Sequence, residues 1–125
     1  AKAVVHVGDL PVTVYSVHME TYWLRSLGRR AQATAVVQDI PIGQSPVIVG
    51  GDFNTISQTD EVRLAGQFAG VGVAHAPTTP SVSIAGLDVT ADHLFARSLP
   101  VVAAGGASTA ASDHKPIWAT FSLID

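Results

Sequence analysis

No cysteine occurs in the 125 residues. That absence excludes a disulfide framework, a cysteine nucleophile, thiolate zinc sites and iron–sulfur clusters. Charge is scarce as well, at 14% Asp, Glu, Lys and Arg, against about 25% in ordinary soluble domains. The formal balance is −3 with five histidines counted neutral. No broad basic surface therefore exists to hold nucleic acid by counterion release, and tight binding of duplex DNA is not expected. Long apolar runs are missing too. Leu99–Ser112 carries no charge but is broken by Pro100 and Gly105-Gly106, and it falls short of the roughly 18 apolar residues that a membrane helix needs. The start, Ala1-Lys2-Ala3, has no charged segment leading into an apolar run, so no signal peptide is visible. It has no initiator Met either, which implies a start that is processed, trimmed or cut from something longer. The compartment stays open.

What is present points to a folded domain. Apolar residues reach 47%, which excludes intrinsic disorder. A chain of this length makes one domain, residues 1–125, and buries roughly two thirds of the surface that its unfolded form exposes. So apolar a balance also hints at a face that meets protein instead of water.

Ala3–Val7 and Pro11–His18 read as strands around a Gly8-Asp9 turn, being rich in Val with Tyr15. A helix is expected over Tyr22–Asp39, where Ala33, Val36, Val37 and Ile40 fall at helical spacing, with Pro41 and Gly43 ending it. Val47-Ile48-Val49 is a short apolar run of the kind buried on both faces of a sheet. It leads directly into Gly50-Gly51-Asp52-Phe53-Asn54. A short helix over Asp60–Phe68 takes Ser57 or Thr59 as its cap. Val71–Thr90, rich in Gly, Pro, Ser and Thr, reads as a long loop. Asp92–Arg97 and Val101–Ala104 read as strands, and Ile117–Leu123 alternates apolar and polar residues as a last strand. No repeat, low-complexity tract or linker interrupts the order. The fold class is α/β, a mixed β-sheet with helices packed on one face.

The chemically capable side chains cluster at strand ends. His18 closes the second strand, Asp52 and Asn54 follow the third, Asp92 opens another, and Asp113-His114 precedes the last. Loops at one edge of such a sheet carry function. If three aspartates converge, a cation, a shared proton or an imidazolium must relieve their repulsion. Mg²⁺ suits such oxygen ligands and recruits substrate phosphate. Each piece also has a plainer reading. Gly-Gly-Asp-Phe-Asn is a good turn sequence, and Asp113-His114 can form a local hydrogen bond. His6, His75 and His93 read as structural, His93 pointing to the sheet face opposite Asp92. Arg25, Arg29 and Arg30 read as a solvated helix face. Adjacent residues cannot build a serine triad, and no G-x-S-x-G elbow occurs.

Taken together, four segments in order resemble one family, the endonuclease/exonuclease/phosphatase superfamily related to deoxyribonuclease I. They are Val14-Tyr15-Ser16-Val17-His18-Met19-Glu20, Pro46–Thr55 with Gly50-Gly51-Asp52-Phe53-Asn54, Ala91-Asp92-His93-Leu94-Phe95, and Ser112-Asp113-His114-Lys115-Pro116-Ile117. Arg30 and Gln32 sit where that family places an Arg and a Gln in the intervening helix. The resemblance runs from about Val12 to the C-terminus. It implies metal-dependent cleavage of a phosphate ester with Mg²⁺ or Mn²⁺. In that reading His114 is the catalytic histidine beside the scissile phosphate and Asp92 orients it. Asp52 positions or activates the attacking water, Asn54 contacts phosphate or metal, His18 hydrogen-bonds the phosphate, and Asp113 is a metal-linked carboxylate.

Family members run to roughly twice this length, as two similar α/β halves whose sheets pack face to face. The present sequence matches the second half, so it is expected to be half of a four-layer α/β sandwich. The metal-binding Glu of the first half has no counterpart; Glu20, beside the His18 strand end, is the stand-in and Glu61 a poorer one. The pairing before the fourth motif is loosened to Thr90-Ala91-Asp92. Since the two halves are related by pseudo-twofold symmetry, a second copy of this chain could complete the sandwich as a homodimer. The alternatives are a catalytically incomplete half-domain that binds or supports, and a chain that pairs with a separate first half.

Overall fold

A computed structural model of the chain describes residues 1–21 and 26–123. Strands β1 (Lys2–Val7) and β2 (Leu10–His18) form a hairpin. Its two-residue turn uses Gly8 at φ +60°, a conformation that favours glycine. Helix α1 (Ser26–Asp39) crosses to β3 (Val47–Asp52), which pairs parallel to β2. The expected Tyr22–Arg25 start of this helix lies outside the described residues. Helix α2 (Gln58–Ala69) follows, capped by Ser57, whose hydroxyl accepts from the Asp60 N–H at 3.2 Å. Then come β4 (Ala74–His75), β5 (Val82–Ile84), β6 (Leu87–Val89), β7 (Asp92–Arg97), β8 (Val101–Gly106) and β9 (Ile117–Phe121). The main sheet is mixed, in the order β1-β2-β3-β7-β4, with β5-β6 and β8-β9 as separate two-stranded ribbons.

The α/β expectation is met, and the sequence-read strands agree with β1, β2, β3, β7, β8 and β9 to within a few residues. The long loop is the main correction. Residues 71–90 hold β4 and the β5–β6 hairpin, whose turn places Ala85 at φ +51° and Gly86 at φ +81°. An alanine in the left-handed region gives no turn signal to a reader of sequence.

Both helices cover one face of the sheet. Val47, Val49, Phe53, Phe68, Val73 and Phe95 are fully buried there, with Ala33 and Ile40 of α1 reaching the same core at the expected helical spacing. Phe68 stacks on Phe95 at 4.6 Å between ring centroids, and Phe53 meets both edge-on. Arg29 departs from the solvated helix face. It is buried, with its guanidinium 3.6 Å from the Asp60 carboxylate at the start of α2. Arg97, at the far end of β7, is buried as well and donates to the carbonyls of Pro41, Val71 and Ser45 at 2.8–3.1 Å. Among the described residues, the opposite sheet face has only a small cluster, Val12, Ala96 and Leu99 with Phe121 against them. Ile48 points to that side and is half-buried, so β3 is not enclosed on both faces as its sequence implies.

Candidate active site

Strand register assembles the site. His18 pairs with Asp52 at the end of β2 and β3, and Asp52 pairs with Asp92 at the start of antiparallel β7. Three strands therefore end on one row of chemically capable residues. Side chains alternate along a strand, so His18, Asp52 and Asp92 project from the same face as Val12, Val14, Ile48 and Ala96, the one without helices.

The Gly50-Gly51 pair permits this row. Gly51 sits at φ +142°, and a side chain there would collide with the Val17 carbonyl of β2. Beyond it, the Asn54 N–H donates to Asp52 Oδ1 at 2.8 Å, an Asx-type turn that holds Asn54 at φ +51°. Asn54 Nδ2 donates to the Met19 carbonyl at 2.9 Å, and the Met19 N–H to the Asp52 carbonyl at 2.8 Å. The exits of β2 and β3 are thus locked together.

His114 arrives from the other side. It forms an isolated bridge with Val82, and its ring lies over the row. The Nδ1–H donates to Asp92 Oδ2 at 2.7 Å, which leaves Nε2 facing Asp52 Oδ2 at 4.0 Å. His18 Nε2 approaches the same Asp52 oxygen at 3.6 Å. Burial lowers the basicity of His114, but the Asp92 hydrogen bond and the charges of Asp92, Asp52 and Asp113 outweigh it, so its pKa lies above the ordinary histidine value. Ser81 supports both partners. Fully buried, it takes the N–H groups of Ala91 and Asp92 on its hydroxyl at 3.2 and 3.0 Å and that of Lys115 on its carbonyl at 2.7 Å.

Ligand atoms of Asp52, Asp92 and His114, all half-buried, lie within 4.8 Å of one another. The two carboxylates offer oxygen donors of the kind that Mg²⁺ or Mn²⁺ accepts while retaining waters, and His114, whose Nδ1–H goes to Asp92, stands beside them as a hydrogen-bond donor. The residues present therefore fit a divalent cation. Asp113 and Glu20 stand outside this group. Asp113 is exposed, with Oδ1 accepting from the Ser112 hydroxyl at 3.4 Å. The Glu20 carboxylate lies against Gly28 of α1, while its N–H donates to Gln32 Oε1 at 2.9 Å.

Sequence reasoning names His18, Asp52, Asn54, Asp92 and His114, and the structure brings these together. It misses Ser81 and Thr55, small hydroxyl residues whose signal in the sequence is no stronger than that of any loop serine. It also reads His93 and His75 only as structural. His93 is fully buried on the helix side, as the strand alternation predicts, and its ring edge-stacks on Phe53 at 5.7 Å. Burial and the neighbouring His75 push its pKa down to about 4.

Comparison with known proteins agrees with this fold. The chain is 31% identical over 117 residues to a UPF0294 protein of Vibrio cholerae, covering 91% of this chain and 41% of that protein. Among solved structures, a humanized D. rerio TDP2 carrying 14 mutations superposes with a TM-score of 0.82 at 20% identity, over 98% of this chain and 59% of that one. The inositol polyphosphate 5-phosphatase domain of SPsynaptojanin, solved with inositol (1,4)-bisphosphate and a calcium ion, superposes with a TM-score of 0.66 at 16% identity, over 92% and 47%. These likenesses show the same α/β fold, and the chain spans less than half the length of its curated relative. The Endonuclease/Exonuclease/phosphatase family model matches residues 2–114, a range that includes His18, Asp52, Asp92 and His114, and the chain belongs to that family.

Proposed function

We propose that the chain hydrolyses phosphate esters, diester or monoester, by in-line attack of water with a divalent cation, Mg²⁺ or Mn²⁺, and that it acts as a homodimer. The observation that carries this reading is His114 held at 2.7 Å by Asp92 while its free Nε2 faces Asp52. A histidine so placed stays protonated to a higher pH and can donate to a phosphate oxygen as negative charge develops there. Asp52 Oδ1 is occupied by the Asn54 N–H, so Oδ2 is the atom that orients the attacking water and accepts its proton. His18, with a 73% exposed side chain, and the second N–H of the Asn54 amide supply donors to the equatorial phosphate oxygens. A bound divalent cation would neutralise phosphate charge and make a coordinated water more acidic. Asp113 and Glu20, from the segments flanking the cluster, are the carboxylates that would hold it. That the SPsynaptojanin domain was solved with an inositol bisphosphate and calcium supports the substrate and cofactor class.

The homodimer is supported by the open sheet face. Val5 and Val7 are 47% and 44% exposed and, with Val14, Ile48 and Phe121, line a cavity of about 380 Å³. Monomers seldom leave such apolar patches uncovered.

Turnover of bis(p-nitrophenyl) phosphate and p-nitrophenyl phosphate with Mg²⁺ or Mn²⁺ tests the activity. EDTA should abolish it, and His114→Ala should lower kcat by about 10²–10⁴-fold. Absence of turnover with every cation would identify the chain instead as a half-domain that binds or supports.

A further inference from the structure

Behind the row of site residues, on the helix side of the sheet, runs a second line of polar groups that this reaction does not use. Thr55 Oγ lies 2.5 Å from the Thr90 carbonyl and 2.6 Å from His93 Nε2, and His93 Nδ1 lies 2.9 Å from His75 Nε2. The carbonyl can only accept, so the Thr55 hydroxyl proton goes to it. The hydroxyl oxygen must then accept from His93 Nε2–H. In a neutral ring Nδ1 is left as an acceptor, and His75 Nε2–H donates to it. Every proton in the line has a single direction, from exposed His75 inward to the Thr90 carbonyl.

We propose that His93 is a positioning residue for the Asp52 and Asp92 carboxylates, acting through Thr55, with His75 fixing its tautomer. This rests on the phosphoesterase reading of the site. The β3–β7 ladder ends at Asp52 and Asp92, and the last rung of a ladder is its most easily opened one. Two bonds continue the connection past that end: the Phe53 N–H to the Ala91 carbonyl at 2.9 Å, and the Thr55 hydroxyl to the Thr90 carbonyl. Thr55 follows Asp52 by three residues and Thr90 precedes Asp92 by two. The line therefore clamps both carboxylate-bearing segments from below, at the separation over which His114 spans. A mere packing role makes a different demand. Against Phe53 and Phe95, an apolar ring at position 93 would serve as well as an imidazole.

The test uses the full chain as Thr55→Val, Thr55→Ser, His93→Gln and His93→Phe. Its readouts are turnover of bis(p-nitrophenyl) phosphate, the NMR signal of the His114 Nδ1 proton, and thermal unfolding. Thr55→Val should lower kcat by about 10–100-fold with KM little changed, and should displace the His114 signal in a folded protein. Thr55→Ser should restore both, and His93→Gln, whose amide can still donate to Thr55, should retain more activity than His93→Phe. Equal behaviour of Val and Ser at position 55, or losses that only track the unfolded fraction, would overturn the proposal. If the unaltered chain turns over no phosphate ester, the phosphoesterase reading fails, and the His114 signal alone decides. A signal unmoved by Thr55→Val then refutes positioning, and one displaced by Val and restored by Ser supports it. Should Thr55→Val not fold, His75→Phe at the exposed end gives the same readouts, with a displaced His114 signal supporting the line and an unmoved one refuting it.

Discussion

Two histidines, His93 under the main sheet and His114 over its edge, carry opposite electrostatic instructions. His114 has its pKa raised in the folded state, so its contribution to stability is complete below the ordinary histidine value and fades as pH rises through the raised one. His93 is the reverse. Its folded pKa is lowered to about 4 from 6.5, so the unfolded chain binds a proton that the native chain refuses. Stability should be complete above about pH 6.5 and fall by on the order of 3 kcal/mol as pH drops to about 4. Urea unfolding at pH 7 and pH 4 checks this, and His93→Gln should flatten that part of the profile; an equal slope in the variant would show that other groups set it. At this scale the site was largely legible in sequence, because His18, Asp52, Asn54, Asp92 and His114 sit in segments with distinctive neighbours. Thr55, Ser81 and His93 were not. Their importance comes from hydrogen bonds across strand ends, and these exist only once the register is known.

Among the elements, glycine has two different uses. Gly51 closes on the Val17 carbonyl at a φ unsuited to other residues. Gly51→Ala is expected to destabilise by about 1–3 kcal/mol, through backbone strain and overpacking. Gly66, by contrast, lies mid-helix in α2 with nothing within 4 Å of an added Cβ. Gly66→Ala should stabilise by about 0.5–1 kcal/mol, because the helix gains propensity and the unfolded chain loses freedom. Denaturant titration of the two variants should give shifts of opposite sign. Periodicity was enough to read α1, a serine or threonine cap helped to read α2, and alternation read β9. The β5–β6 hairpin escaped because an alanine occupies a left-handed turn position. Arg29 escaped because its partner Asp60 lies on the next helix, 31 residues away.

For the whole molecule, the sparse charge and abundant apolar residues have a place in the fold. They describe a sheet with helices on one side and little on the other. A homodimer formed on that open face should scatter light with about twice the mass of the 12.9 kDa chain. Val5→Lys and Val14→Lys should return it to a monomer by placing unpaired charge in the interface. A monomer at all concentrations would exclude the dimer. The sequence could show the surplus of apolar residues but not their side, since the face each strand residue takes depends on where the helices dock.

The open face has one more consequence. His18 and Asp52 lie only four residues along the same strands from Val14 and Ile48, roughly 13 Å at strand spacing, and on the same side. On the proposed reading, a second copy docked on the apolar rungs would also wall the row of site residues. Association and turnover would then be linked, and specific activity should fall on dilution.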